Sequence, residues 1–282
     1  MIFNGKEFAQ KVKNELKEEF SKLAKKPELH IVSVGDDPSS KSYLRMKIRS
    51  AEDVGAGIVI HHFSDDILQE ELLKEVKRIA ADPDADGIIV QLPLPAAIDT
   101  ELILNAIPPE KDPDILSERS WNLFESEKIS LIPPTPGAMI EILHKNNITL
   151  KGKNVVILGR KRLIGKPIRI CAEREKANIT VLHSGTGDPT PYLLKADIIL
   201  CGANKPHIVK PEMIKKDAVI VDGGTCELDG KIVGNADPAC AEKCALFTPV
   251  PGGVGPVTAV VLFQNLAELI REKREKETKK AA

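Results

Sequence analysis

Tyr43 and Lys47 stand four residues apart in Tyr43-Leu44-Arg45-Met46-Lys47, so a helix would set a phenol and an amine on one face. Many such pairs are ordinary surface neighbours. An amine drawn out of water, however, loses its preference for the charged form and can then exchange protons with substrate or water. Gln91 closes the apolar run 87–92, at the carboxyl end of a predicted strand. Ligands of parallel sheets bind beyond such ends. Beside Lys47, a buried Gln91 would hold the amine and help to depress its pKa. Its bland role is to satisfy its own strand end.

A second chemical centre lies more than a hundred residues on. Val155-Val156-Ile157-Leu158 runs into Gly159-Arg160-Lys161-Arg162-Leu163-Ile164-Gly165-Lys166-Pro167, a strand, a glycine turn and a helix start. Gly159 suits a tight exit from the strand, and Gly165 suits approach of a phosphate to the helix amino end. The spacing departs from G-x-G-x-x-G, so a plain βα turn stays open. An NAD site places Asp or Glu at the end of the next strand, to hold the ribose 2′-hydroxyl. Here that strand ends Leu182-His183-Ser184-Gly185-Thr186, with no carboxylate, while Arg160, Lys161 and Arg162 supply cations. The balance favours NADP, unless the cations merely form a solvated turn. In short-chain dehydrogenases a Tyr-x-x-x-Lys pair follows the nucleotide fold; here it precedes it.

The third feature is Thr248-Pro249-Val250-Pro251-Gly252-Gly253-Val254-Gly255-Pro256-Val257-Thr258, with three prolines and three glycines in eleven residues. Proline fixes φ, and glycine lets main chain approach a flat ligand. Ala259, Leu262, Phe263, Leu266 and Ile270 follow at helical spacing, so the loop is clamped to a packed helix.

The elements that position these groups alternate. Phe8, Val12, Leu16, Phe20 and Leu23 mark an amphipathic helix; 29–34, 57–63 and 87–92 read as strands buried on both faces. Between them lie helices over 39–54, opened by Asp36, Asp37 and Pro38, and along Leu68, Leu72, Val76 and Ile79. From 93 to 136 the chain is proline-rich, with one short helix at 100–106 and a weakly periodic loop over 111–132. A helix over 137–146 leads to strands 155–158, 179–182, 198–201 and 219–221. The final helix comes too late for that second sheet and is expected to cross back to the first domain. The reading is an α/β chain of two αβ domains around a cleft, the second a Rossmann-like doubly wound parallel sheet. The expected boundaries are 1–134 plus 255–282, and 135–254.

Composition removes several function classes. The chain has 282 residues, 42% hydrophobic and 29% charged, with a net charge of −1, which gives no reason to expect nucleic acid or an anionic membrane as partner. No apolar run reaches bilayer length, and the segment from Met1 to Lys6 lacks a signal-peptide core, so a cytoplasmic protein is expected. Cys171, Cys201, Cys226, Cys240 and Cys244 show no zinc spacing; Cys240 and Cys244 would share a helix face, and no metal is expected.

Taken in order, Tyr43-x-x-x-Lys47, the run 87–95, Lys111-Asp112-x-Asp114, Thr135-Pro136, Gly159-Arg160 with Gly165-x-Pro167, and 249–258 give the chain a clear likeness. It resembles the bifunctional methylenetetrahydrofolate dehydrogenase/methenyltetrahydrofolate cyclohydrolase family along nearly its whole length. The resemblance implies a homodimer that oxidises 5,10-methylene-tetrahydrofolate with NADP and hydrolyses the methenyl product to 10-formyl-tetrahydrofolate. It implies Lys47 as general acid/base, Tyr43 against the folate, Gln91 tuning Lys47, and Asp114 on the pterin, with Leu92 beside it. Arg160, Lys161 and Ser184 would surround the 2′-phosphate, near Gly159. Thr225 would meet the cofactor through its backbone, and Pro251, Gly252 and Gly253 would border nicotinamide and folate. Pro134, Gly137-Ala138 and Lys161 depart from the usual pattern, Lys161 in the direction of stronger phosphate binding. Ile115 stands where glycine is usual and disfavours a positive φ, so the Asp114 loop is expected to run differently. That leaves two alternatives: a dehydrogenase with little cyclohydrolase activity, or a silent NADP-binding protein.

Overall fold

The computed structural model describes residues 1–36 and 38–281, the side chains of 38–43 and 280–281 excepted. In chain order the elements are α1 (Gly5–Ser21), β1 (Glu28–Val34), α2 (Pro38–Val54), β2 (Gly57–Phe63), α3 (Gln69–Ala81), β3 (Gly87–Val90), α4 (Thr100–Leu104), α5 (Glu118–Glu125) and α6 (Pro134–Lys145). They continue with β4 (Asn154–Leu158), α7 (Gly165–Arg174), β5 (Asn178–Leu182), α8 (Thr190–Leu193), β6 (Ile198–Cys201), β7 (Ala218–Asp222), β8 (Cys226–Leu228), β9 (Lys231–Val233), β10 (Cys244–Phe247) and α9 (Val254–Ala281). Asp37, expected at the opening of α2, lies outside the described residues.

The chain forms two compact units, Met1–Ala9 with Pro134–Val261, and Gln10–Pro133 with Leu262–Ala282. In the second of these, β1 is central to a parallel three-stranded sheet ordered β2-β1-β3. Every residue of β3 is buried, and all but the first of β1, because side chains cover both faces. Val32, Val76, Ile79, Ile88, Val90 and Ile103 build its core. The strand over 57–63 departs from expectation: most of its residues are partly or fully exposed. Among the described residues it pairs with β1 alone, so it is an edge strand of this sheet. Of α9, the part from Leu262 onward belongs to this unit and Val254–Val261 to the other. Asn265 on α9 donates to the carbonyls of Pro113 (2.8 Å) and Ile132 (2.9 Å), and Arg271 pairs with Glu19 at 2.8 Å.

The other unit carries five parallel strands ordered β10-β7-β6-β4-β5. Counted within the unit this is the 2-1-3-4-5 order of doubly wound sheets, whose direction of winding reverses between β4 and β6. Val156, Leu158, Ile199, Cys201 and Ile220 are among its buried core. Two elements escape the periodicity. The four residues of β10 pair with β7 through a register shift. The hairpin β8–β9 turns at Asp229-Gly230, both at positive φ (51° and 71°), the geometry an Asp-Gly dipeptide favours. The amino end belongs here rather than with the other unit, as the 1–134 boundary had it. Phe3 N donates to Phe247 O at 2.8 Å, and Phe247 N to Met1 O at 2.9 Å, so the first residues pair with the β10 edge.

Cys240 sits in a 3-10 turn over Pro238–Glu242 and Cys244 on β10, so the two thiols share no helix. All five cysteines are free and buried. Burial pushes the thiols of Cys171 and Cys240 up to about 12, which leaves them inert packing groups. No group of metal-ligating side chains occurs among the described residues, and no described helix is long and apolar enough to cross a membrane.

Candidate functional site

Lys47 lies on α2, and its Nζ donates to Gln91 Oε1 at 3.2 Å. Gln91 extends β3 by one ladder bond, its N–H meeting Val32 O at 2.8 Å, and is buried at the carboxyl end of the sheet. Its Nε2 donates to Leu92 O at 3.0 Å, which fixes the amide so that its oxygen faces the lysine. Burial lowers the Lys47 pKa below the usual lysine range, and the negative charge of Asp114 opposes that shift. Burial in turn raises the Asp114 carboxyl, with Lys47 pulling it down and Asp112 pushing it up. Three residues from three separate segments thus meet electrostatically: a weakened cation, a fixed amide and a carboxyl reluctant to ionise. Groups matched in this way can exchange protons with a bound molecule. Tyr43 occupies a position one turn before Lys47 on α2, but its side chain lies outside the described residues.

The loop that carries Asp114 corrects one expectation. Ile115 adopts the positive φ that a glycine would, at 54°, and is 1% exposed. A β-branched residue there costs about 1–2 kcal/mol. The loop tolerates it because its ends are tied. Asp112, itself buried, accepts N–H bonds from Leu116 (3.4 Å) and Ser117 (2.9 Å), and Lys111 Nζ donates to the carbonyls of Ala80 (2.9 Å) and Asp82 (2.6 Å). Asn265 holds Pro113 from the far side. Asp112 and Asn265 were not singled out from sequence. The only available signal was a carboxylate and an amide placed where apolar neighbours make them costly unless bonded. Replacing Ile115 by Gly is expected to lower stability by about 2–3 kcal/mol in urea melts, because the lost buried side chain outweighs the relieved strain. A gain in stability would show instead that strain dominates.

The nucleotide-type turn sits at the reversal point of the five-stranded sheet. Gly159 leaves β4 at φ 107°, and a Cβ there would stand 2.5 Å from Gly202 O, just past the end of β6. A Cβ on Gly165 would overlap the Gly159 carbonyl, so its glycine is what lets α7 pack against the strand exit. Arg160, Lys161 and Arg162 are exposed in the turn, and Ser184 is exposed just beyond β5. Leu158 and Leu182 are paired residues and Gly159 N donates to Leu182 O at 2.8 Å, so both groups emerge at adjacent strand ends. No carboxylate ends β5. Gly223 continues β7, donating to Cys201 O at 2.9 Å, and Thr225 is exposed after it. A glycine cradle, exposed cations with a hydroxyl, and no acid at the ribose position fit a dinucleotide bearing a 2′-phosphate.

In the proline–glycine segment, α9 begins at Val254, inside the stretch read as a loop, so Gly255 and Pro256 form its first turn. Gly252 has φ 104°, and its carbonyl accepts from Gly5 N at 3.0 Å. A Cβ on Gly5 would overlap Gly253 O, so α1 starts against this loop. Pro251, Gly252 and Gly253 therefore present a fixed main chain within the five-stranded unit.

Residues 3–114 match the catalytic domain of the tetrahydrofolate dehydrogenase/cyclohydrolase family, and residues 133–274 its NAD(P)-binding domain. The chain is 38% identical to the bifunctional protein FolD of Aliarcobacter butzleri, over 98% of this chain and 99% of that one. Among solved structures, the bifunctional FolD enzyme of Campylobacter jejuni is similar, with TM-score 0.93 and 33% identity, covering 97% of this chain and 99% of that one. The Trypanosoma brucei methylenetetrahydrofolate dehydrogenase-cyclohydrolase, solved with NADP and an inhibitor, has TM-score 0.91 and 32% identity, covering 97% and 98%.

Proposed function

Because the chain belongs to the tetrahydrofolate dehydrogenase/cyclohydrolase family, we propose that it oxidises 5,10-methylene-tetrahydrofolate with NADP and hydrolyses the resulting methenyl cation to 10-formyl-tetrahydrofolate, Lys47 serving the second step. The observation that carries the assignment is the Lys47–Gln91 hydrogen bond beside Asp114. NADP, when bound, supplies the hydride acceptor. Arg160, Lys161 and Ser184 would hold its 2′-phosphate near Gly159, and Thr225 would meet it through main chain. Pro251, Gly252 and Gly253 would offer flat, side-chain-poor main chain to the nicotinamide.

Hydrolysis needs a base. Neutral Lys47 accepts a proton from the water that adds to the methenyl carbon. The ammonium so formed returns a proton to N5 as the C–N5 bond breaks, the carbinol oxygen becomes the formyl carbonyl, and one proton is released overall. Gln91 holds the amine at the reacting face. Asp114 accepts hydrogen bonds from the amino group and ring N–H of the pterin, and Tyr43 orients the ring, with Leu92 beside it. The protein works as a homodimer in the cytoplasm, a reading supported by the family and by five unpaired thiols.

The test is a spectrophotometric assay of methylene-tetrahydrofolate with NADP or NAD, following appearance and loss of the methenyl chromophore. Methenyl product that accumulates without enzyme-dependent opening would leave only the dehydrogenase. Replacing Arg160 by Gln and Lys161 by Ser together is expected to raise KM for NADP about tenfold or more and leave KM for NAD within about twofold. An equal rise for both cofactors would remove these cations from the 2′-phosphate.

A further inference from the structure

Two polar side chains are buried under the carboxyl edge of the five-stranded sheet, and no role has yet been given to either. Asn235 is 0% exposed and Asp222, the last residue of β7, is 1% exposed. The Asn235 amide is fully engaged. Its Oδ1 accepts from Ala203 N at 2.9 Å, and its Nδ2 donates to Ala203 O (2.9 Å) and Lys205 O (2.8 Å) and contacts Cys226 Sγ at 3.6 Å. Asp222 binds the neighbouring loops. Its Oδ1 accepts from Gly224 N at 2.9 Å and its Oδ2 from Ala236 N at 2.8 Å. Its own N–H donates to the buried Thr248 Oγ1 at 2.7 Å.

The glycines around these two groups are interlocked with them. A Cβ on Gly224 would overlap the Asn235 amide, and one on Gly234 would overlap the Asp222 carboxylate. Space that side chains would fill at 224 and 234 is taken by hydrogen-bonding atoms. The segments so tied are those after β6 (203–205) and after β7 (223–225), the next two strands on one side of β4 and its glycine turn at the reversal point of the sheet.

We propose that Asn235 is a positioning residue for the dinucleotide, its side-chain amide setting the main chain of 203–205 while Asp222 sets that of 223–225. The inference rests on the reading that NADP lies along this edge. A backbone that must meet a ligand through its own N–H and C=O groups has no rotamer with which to adapt. Its placement has to come from beneath, and a buried amide with one acceptor and two donors can fix both polarities of one loop. Asp222 resists ionising, burial pushing it up to about 6, and its N–H donors at Gly224 and Ala236 counter that.

The decisive variant is Asn235→Asp, which keeps shape but turns an oxygen toward the Ala203 and Lys205 carbonyls. Calorimetric titration with NADP alone, well below the melting temperature, is expected to show Kd weakened about tenfold or more for Asn235→Asp, with a smaller loss for Asn235→Ser. KM for NADP should rise in parallel, with kcat and KM for the folate changing less than about threefold. A merely structural role would lower Tm and leave Kd unmoved at that temperature, which overturns the proposal. Should Asn235→Asp not fold, Asn235→Ser decides by the same criterion. Failure of the unmodified protein to bind NADP would instead remove the cofactor reading, and the brace with it.

Discussion

Substituting Lys47 by Met is expected to reduce hydrolysis of methenyl-tetrahydrofolate by about a hundred- to ten-thousandfold, the range carried by a positioned acid–base group. Oxidation of methylene-tetrahydrofolate should persist, since it draws on ring placement more than on a base. The thermal midpoint should move little. Removing a buried amine relieves its desolvation, while the Gln91 oxygen loses a donor, and each effect is worth roughly 1–3 kcal/mol. A variant that folds, dehydrogenates and still hydrolyses at the parent rate would end the assignment of Lys47.

The pH profile gives the same assignment a sign. Burial lowers the Lys47 pKa from its usual 10.5, so the neutral amine that accepts the water proton is reached at a lower pH than for a solvated lysine. Hydrolysis should rise with pH through a midpoint below that value. Asp114 opposes the shift, so Asp114→Asn should move the midpoint further down while raising KM for the folate. A midpoint that moves up in Asp114→Asn would mean the carboxylate does not face the lysine.

The second large effect is expected at Gly165. An alanine methyl there would occupy the Gly159 carbonyl, and that carbonyl belongs to a turn already at φ 107° and tight against Gly202. Neither neighbour is a flexible side chain that can swing aside, so α7 must move off the strand. Gly165→Ala should destabilise the five-stranded unit by about 2–3 kcal/mol and weaken NADP binding tenfold or more. Urea melts and calorimetric titration read these separately. Full stability together with normal NADP affinity would show that the strand exit is softer than its contacts suggest.

Much of this was legible in the residues, and the exceptions share a cause. Long amphipathic runs and buried strands announce themselves by period, as do α3 with Leu72, Val76 and Ile79, and β6 with four consecutive buried residues. The strand β10 did not, because four residues with a mixed pattern carry no period and its partners come from distant segments. α5 was hidden in the same way within eight residues, although Ser117 caps it by accepting from Ser120 N. Within the site, Lys47 and Gln91 were readable from type and spacing, and Asp114 through the family resemblance. Asn265 and Asn235 were not, since what they do is bond to the main chain of residues far away in sequence, and Asp112 was not, since its bonds to Leu116 and Ser117 depend on a turn that no period announces. Ile115 shows the limit of local rules. Its backbone preference is overruled by the anchors on either side of it.

Both compact units are discontinuous in the chain, and this bears on how the protein comes into being. The strands of the three-stranded sheet are synthesised early, yet the helical stretch from Leu262 that belongs with them emerges after all of Pro134–Val261. The nascent half must therefore wait, with Leu29 and the sheet face around Gly87 lacking the cover of Leu266, while the other half is made and claims Met1–Ala9 in turn. Maturation on the ribosome runs against the usual amino-to-carboxyl order. A chain stalled before residue 262 should engage chaperones through that apolar surface, and release of Leu262–Ala282 should free it.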